Sequence, residues 1–321
     1  VYNLVADPDA DAQFTQQDGN RYLAEKREYH ELIINLLGLA AQYRGTHKDY
    51  LWLGSAKVQF AMDSSCPDRE KFYRMAIPSL EKAISLNPEK MPAYYYTAAF
   101  AETSLADLLY DKRYQKQTLS LSEITSKEIQ EIEELYRKGI ENMREAFKLA
   151  KDEINPFALA TAEFRMAEVL EIKLSAFSHT SLNPEIEAMQ DEIESYYRSS
   201  IENFILSRRG EDKNKPDNIF CLGRAQLGLA NYFLENIDVF DVNEVQSLYA
   251  NAYANIKRSA KAEYDIGNNH VLGIVSFDYG TFLEKSVKPK PVEEIIILYK
   301  DSINYFSRSA DETKDAHDLY L

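Results

Sequence analysis

Cysteine, glycine and proline are all scarce in this chain: its 321 residues contain 2, 11 and 10 of them. So few turn-forming residues exclude a loop-rich sandwich, and 45% hydrophobic with 28% charged residues excludes a disordered chain. The two cysteines, Cys66 and Cys221, stand far apart in the sequence and are expected to be free structural thiols. No run of lysine or arginine interrupts a net charge of -15, so a phosphate backbone is repelled and nucleic acid is excluded as a partner. No apolar run reaches the about 18 residues needed to cross a bilayer, so no membrane-spanning segment is expected and the chain is read as soluble. It opens on Val1, a start that a removed signal segment or a trimmed chain would both give, and either a cytoplasmic or an exported, cell-envelope location fits. The missing Asn-x-Ser/Thr sequon argues against a glycosylated ectodomain.

Chemistry-bearing motifs are equally sparse. The five histidines, His30, His47, His179, His270 and His317, are scattered, with no HExxH and no close Cys/His set, so structural zinc is not expected. Neither Gly-x-Ser-x-Gly nor a phosphate-cradling glycine loop occurs. A non-enzymatic chain without a cofactor follows. One stretch, DPDADAQFTQQD, alternates Asp7, Asp9 and Asp11 as a calcium loop does and ends at Asp18. Ala12 stands where the sharp turn needs glycine, and Asp18 is shorter than the usual bidentate glutamate. Residues 1–17 are therefore read as a flexible acidic leader, with Asp18 near a helix cap.

What the chain does have is an internal repeat. YRMAIPSLEKA from Tyr73, YRKGIENMREA from Tyr136, YRSSIENFILS from Tyr197, YANAYANIKRS from Tyr249 and YKDSINYFSRS from Tyr299 share one pattern. An aromatic is followed three residues later by a small residue (Ala76, Gly139, Ser200, Ala252, Ser302). Four further on comes a bulky one (Leu80, Met143, Phe204, Ile256, Phe306), and three beyond that another small one (Ala83, Ala146, Ser207, Ser259, Ser309). These spacings fall on one helical face, where small residues admit a neighbouring backbone and the bulky residue plugs the gap. Each interval between copies has room for a second apolar helix, near 91–110, 156–176, 217–236 and 268–285, with another at 46–62 before the first copy. Leu-Gly pairs at Leu53-Gly54, Leu222-Gly223 and Leu272-Gly273 mark points where helices can cross closely. Asn87-Pro88 stops one helix and Pro92 opens the next. A helix near 18–43 covers the first hairpin, connectors fall at 111–125, 177–190, 208–217 and 236–245, and SVKPKPV at 286–292 is a proline-stiffened link.

Tyr73, Ala76, Leu80, Ala83 and Pro88, with Tyr94, Ala98 and Ala101 opening the next unit, resemble the tetratricopeptide repeat. Later units keep the small-large-small pattern but carry Lys151, Asp212 and Tyr264 where the family's proline falls. The resemblance implies an all-α fold, a right-handed superhelical array of helical hairpins (a TPR-like α-solenoid) over 18–310 with a tail at 311–321. It also implies a concave groove, lined by the first helix of each pair, that receives a peptide or protein segment. Carried onto this chain, the inward residues are Tyr95, Ala99 and Glu102, then Arg165 and Met166, then Phe220 and Arg224, then Val271, Asp278 and Tyr279. Among the three tyrosines from Tyr94, Tyr94 is expected in the hairpin core and Tyr95 toward the groove, since adjacent helical residues point about 100° apart.

The resulting expectation is a scaffold that binds a protein or peptide partner. A second reading comes from an architectural likeness to the repeat protein that accompanies the solute-binding component of some bacterial tripartite transporters. On that reading the groove would take a small organic ligand.

Overall fold

The computed structural model describes residues 16–114, 126–151, 154–175, 184–208, 215–235, 241–262 and 266–313. The calcium-like aspartates Asp7, Asp9 and Asp11, as well as His179 and His317, lie outside them. Eleven helices run through the described residues: α1 (Gln16–Tyr43), α2 (His47–Met62), α3 (Arg69–Leu86), α4 (Pro92–Tyr114), α5 (Ser126–Leu149), α6 (Phe157–Ser175), α7 (Pro184–Ser207), α8 (Pro216–Glu235), α9 (Val242–Ala262), α10 (Ile266–Ser286) and α11 (Val292–Thr313). The five copies of the repeat pattern lie on α3, α5, α7, α9 and α11; the apolar stretch before the first copy forms α2, and those between copies form α4, α6, α8 and α10. This is an all-α array of helical hairpins.

Helix ends follow local chemistry. Thr46 caps α2 through a reciprocal pair of bonds, Asp49 N–H to Thr46 Oγ1 at 3.3 Å and Thr46 N–H to Asp49 Oδ2 at 3.2 Å. Asp68 accepts from the Lys71 amide at 3.1 Å to cap α3. α3 stops at Leu86 and α4 opens on Pro92, and the turn between them holds Lys90 in the left-handed region at φ 48°. α4 extends to Tyr114, into the expected connector at 111–125, and α7 starts inside the expected connector at 177–190. Pro184 suits the first turn of α7, where its missing N–H costs nothing, and Glu185 and Glu187 complement the positive helix end.

Two compact units divide the chain. The first comprises residues 1–118 with 141–151, and the second residues 119–140 with 152–321. In the first, α2 pairs with α3, α3 packs on α4 and α1 lies along α2. In the second, α6 pairs with α7, α8 with α9 and α10 with α11, while α7 packs on α8 and α9 on α10. The first helices of successive pairs also touch, α6 with α8 and α8 with α10.

The repeat pattern forms the core. Tyr73, Tyr136, Tyr197 and Tyr249 are buried, as are every small position and the bulky Leu80, Met143, Phe204 and Ile256. Each bulky side chain hidden this way contributes on the order of 2 kcal/mol. Tyr299 and Phe306, on the last helix, are half-buried. The wedge tyrosines reach polar partners with their hydroxyls: Tyr197 donates to Glu171 at 3.0 Å, Tyr249 to Asn231 at 2.6 Å and Tyr299 to Glu284 at 2.9 Å. The Leu-Gly glycines face the bulky residue of the paired helix. A Cβ on Gly54 would lie 2.5 Å from Leu80 Cγ, one on Gly223 2.6 Å from Ile256 Cγ1, and one on Gly273 2.7 Å from Phe306 Cδ1.

Candidate functional site

In the second unit the face of the first helices takes shape on α6 and α8. Arg165 and Glu168 sit one turn apart on α6, and Arg165 donates to Glu168 Oε2 at 2.8 Å. Arg224 reaches across from α8 to the other oxygen of the same carboxylate at 3.2 Å. Its guanidinium lies 5.2 Å from the ring centroid of Phe164, an arrangement that holds the cation on an aromatic face. Phe220, one turn before Arg224, is half-buried, and so are both arginines. Cys221 lies beside them, its thiol pushed up to about 11 by burial, with Arg224 and Arg165 pulling the other way. Burial thus favours the protonated thiol. Both cysteines are free.

Three of the residues expected to line a groove, Arg165, Phe220 and Arg224, are thus brought to neighbouring helices with part of their surface open. Tyr95 is on α4 in the first unit, half-buried, beside Tyr94, which is buried and meets His47 Nδ1 through its hydroxyl at 2.8 Å. Met166 and Tyr279 are placed in the core. Met166 has no exposed surface, and Tyr279 stacks on Tyr249 with ring centroids 5.8 Å apart while donating to Glu294 at 3.1 Å. Burial, with Glu294 close by, pushes the Tyr279 hydroxyl up to about 12. Both side chains pack between helices in this structure. Asp278, half-buried beside Tyr279, accepts from Asn231 Nδ2 at 3.3 Å, and burial raises its carboxyl above the ordinary value.

Glu102 is also inside, with 0% exposure, accepting from Asn142 Nδ2 at 2.8 Å. It belongs to a series that the sequence reading did not identify. Glu163 accepts from Asn203 Nδ2 at 2.8 Å, Gln226 Oε1 from Asn255 Nδ2 at 2.8 Å, and Lys57 donates to Ser79 Oγ and to the Met75 carbonyl, both at 3.0 Å. Each bond links the two helices of one hairpin. On the second helix the partner, Ser79, Asn142, Asn203 or Asn255, directly precedes the bulky residue of the repeat pattern. On the first helix the residue stands three positions after the Leu-Gly glycine, or after Ala99 or Ala160 in its place. In the last pair Ser302 donates to the Gly273 carbonyl at 3.0 Å. A fixed polar offset beside the bulky position was the available signal. The bonds set the register of each hairpin, because a slip of one residue would leave a buried polar group without its partner.

Among the described residues no group of three His, Cys, Asp or Glu side chains is placed to hold a metal ion, and no helix is long and apolar enough to cross a membrane. His270 packs edge-on against Phe306, 5.7 Å between centroids.

Fold and site together define an all-α protein of the helical-repeat class. Comparison with solved structures agrees on the fold: the nuclear import adaptor Nro1 of S. pombe matches with a TM-score of 0.52 and 12% identity, covering 94% of this chain and 93% of that one. A second crystal form of Nro1 gives a TM-score of 0.42 at 10% identity over 84% and 95% of the two chains. A circular tandem repeat protein gives 0.37 at 11% identity over 93% and 68%. No family model and no curated protein matches the sequence. The tetratricopeptide resemblance therefore stands at the level of repeated helical hairpins.

Proposed function

We propose that the chain is a divergent relative of the tetratricopeptide arrays that binds a polypeptide segment on the face of α6 and α8. The observation that carries this reading is the convergence of Arg165 and Arg224 on the two oxygens of Glu168, with half-buried Phe220 one turn away. A guanidinium already held on an aromatic ring is pre-organised for a carboxylate, and arginine and aromatic side chains supply most of the energy at protein interfaces. The segment expected here offers a carboxylate to Arg224 and an apolar side chain to Phe220. Basic residues elsewhere in the partner fit the net charge of -15. The S. pombe nuclear import adaptor Nro1 shares the fold, and an adaptor role is consistent with this use of it.

Peptides selected from a random library on the immobilised chain, then measured by fluorescence anisotropy, test the reading. Carboxylate-bearing sequences are expected to emerge, and Arg224→Ala or Phe220→Ala should weaken them about tenfold or more, roughly 1.4 kcal/mol. An empty selection, or peptides indifferent to substitution of Arg165, Phe220 and Arg224, would contradict it.

A further inference from the structure

α1 is apolar on two sides. One side lies against α2, where Ile34 and Ala41 are buried, His30 stacks on Phe60 at 4.9 Å and Lys26 pairs with Asp63 at 2.7 Å. The other side carries Tyr22, Tyr29, Leu32, Leu36, Leu39 and Tyr43, between 50% and 87% exposed. Their positions are not those of a scattered surface. Tyr22, Tyr29, Leu36 and Tyr43 recur every seven residues, and Leu32 and Leu39 repeat at the same interval three residues after Tyr29 and Leu36. This is the alternating three-and-four spacing by which one helix seats its side chains between those of another.

We propose that α1 is a homodimerisation helix, pairing antiparallel along this seam with α1 of a second copy of the chain. Two observations select that occupant, and a third sets its direction. The open area of the six side chains is on the order of 700–800 Å², which is about what each partner contributes to a stable interface. A seam of this kind is self-complementary, as a two-fold interface requires, because the same apolar positions serve both copies. Glu25 occupies the remaining position of the repeat and sets the direction. A parallel pair would oppose Glu25 to its own copy, whereas an antiparallel pair with Leu32 facing Leu36 of the second copy sets Glu25 against Tyr43, whose hydroxyl can donate to the carboxylate. Tyr29 then faces Leu39. The seam is formed by α1 alone and shares no residue with the polypeptide-binding face on α6 and α8.

Sedimentation equilibrium of the full chain at micromolar concentrations tests the pairing. A mass of twice 36.9 kDa is expected. The double substitution Leu32→Lys/Leu36→Lys should return it to the single-chain mass with an unchanged circular dichroism spectrum, since both side chains are exposed. A single-chain mass in the unsubstituted protein, as would follow if residues 1–15 covered the seam, overturns the proposal, and so does a dimer that survives the double substitution. Direction is read separately. Tyr29→Cys and Leu39→Cys proteins, oxidised together and mapped by mass spectrometry, should cross-link to each other, and cross-linking of each only to itself would contradict the antiparallel arrangement.

Discussion

Gly223→Ala isolates the fit between the paired helices of a hairpin. Alanine is favoured over glycine in a helix interior by about 1 kcal/mol, so the substitution should stabilise α8 if only local propensity mattered. The added Cβ would instead meet Ile256 Cγ1 at 2.6 Å, and the Ala252 carbonyl oxygen and Ile256 nitrogen at 3.2 Å each. Two of those atoms are backbone, so relief requires α9 to retreat from α8, an overpacking cost of about 1–3 kcal/mol. The net expectation is a loss of about 1 kcal/mol. Gly38→Ala supplies the control, because nothing lies within 4 Å of a Cβ there, and it should gain the full propensity term. The two variants should therefore differ by about 2 kcal/mol in urea denaturation followed by circular dichroism. Ile256→Ala adds a second test. Alone it leaves a cavity costing about 2–5 kcal/mol, but in the Gly223→Ala background the new methyl fills part of the space. Its cost there should be smaller by at least about 1 kcal/mol. Equal stability gains at Gly38 and Gly223, or strict additivity with Ile256→Ala, would refute the reasoning.

Removing the left-handed strain at Lys90, φ 48°, by Lys90→Gly should raise stability by a few tenths to about 1 kcal/mol, measured by the same denaturation. Asp278 is raised above its ordinary value of 3.8 by burial, so the stability tied to its protonated form is fully present below 3.8 and is lost as pH rises through the raised value. Asp278→Asn should accordingly flatten the decline in stability across the weakly acidic range and leave the protein more stable at neutral pH, which thermal melts at a series of pH values would check. Asn203→Leu takes one donor from the buried Glu163 carboxylate and should cost about 1–3 kcal/mol. The pair Glu163→Leu/Asn203→Leu should cost less than the sum of its parts, as a double-mutant cycle reads directly.

Much of this architecture was legible in the sequence because the hairpin core repeats with a helical period. Tyr73, Tyr136, Tyr197, Tyr249 and Tyr299 all fall on the second helix of a pair, and the Leu-Gly glycines receive the bulky residues of that helix. Pro92 and Asn87-Pro88 marked a real break. The direction of side chains on the first helices was harder to read. α6 and α10 are enclosed on several sides, and a helix that is apolar almost all round has no periodicity to separate a groove face from a packed one. Met166 and Tyr279, expected toward the groove, are buried between helices for this reason. The burial of Glu102 has a different cause: charged residues are rarely buried without a partner, and its partner Asn142 lies forty residues away in the chain. Arg165 and Arg224 were found as single residues, but Glu168, which joins them, carries no motif beyond its spacing from Arg165.

Hydrogen exchange followed by mass spectrometry, on the full chain with and without a selected peptide, tests the central claim most directly. Added protection centred on α6 and α8, around Arg165, Phe220 and Arg224, is the expected result. Protection confined to α7, α9 and α11, with α6 and α8 unchanged, would contradict it.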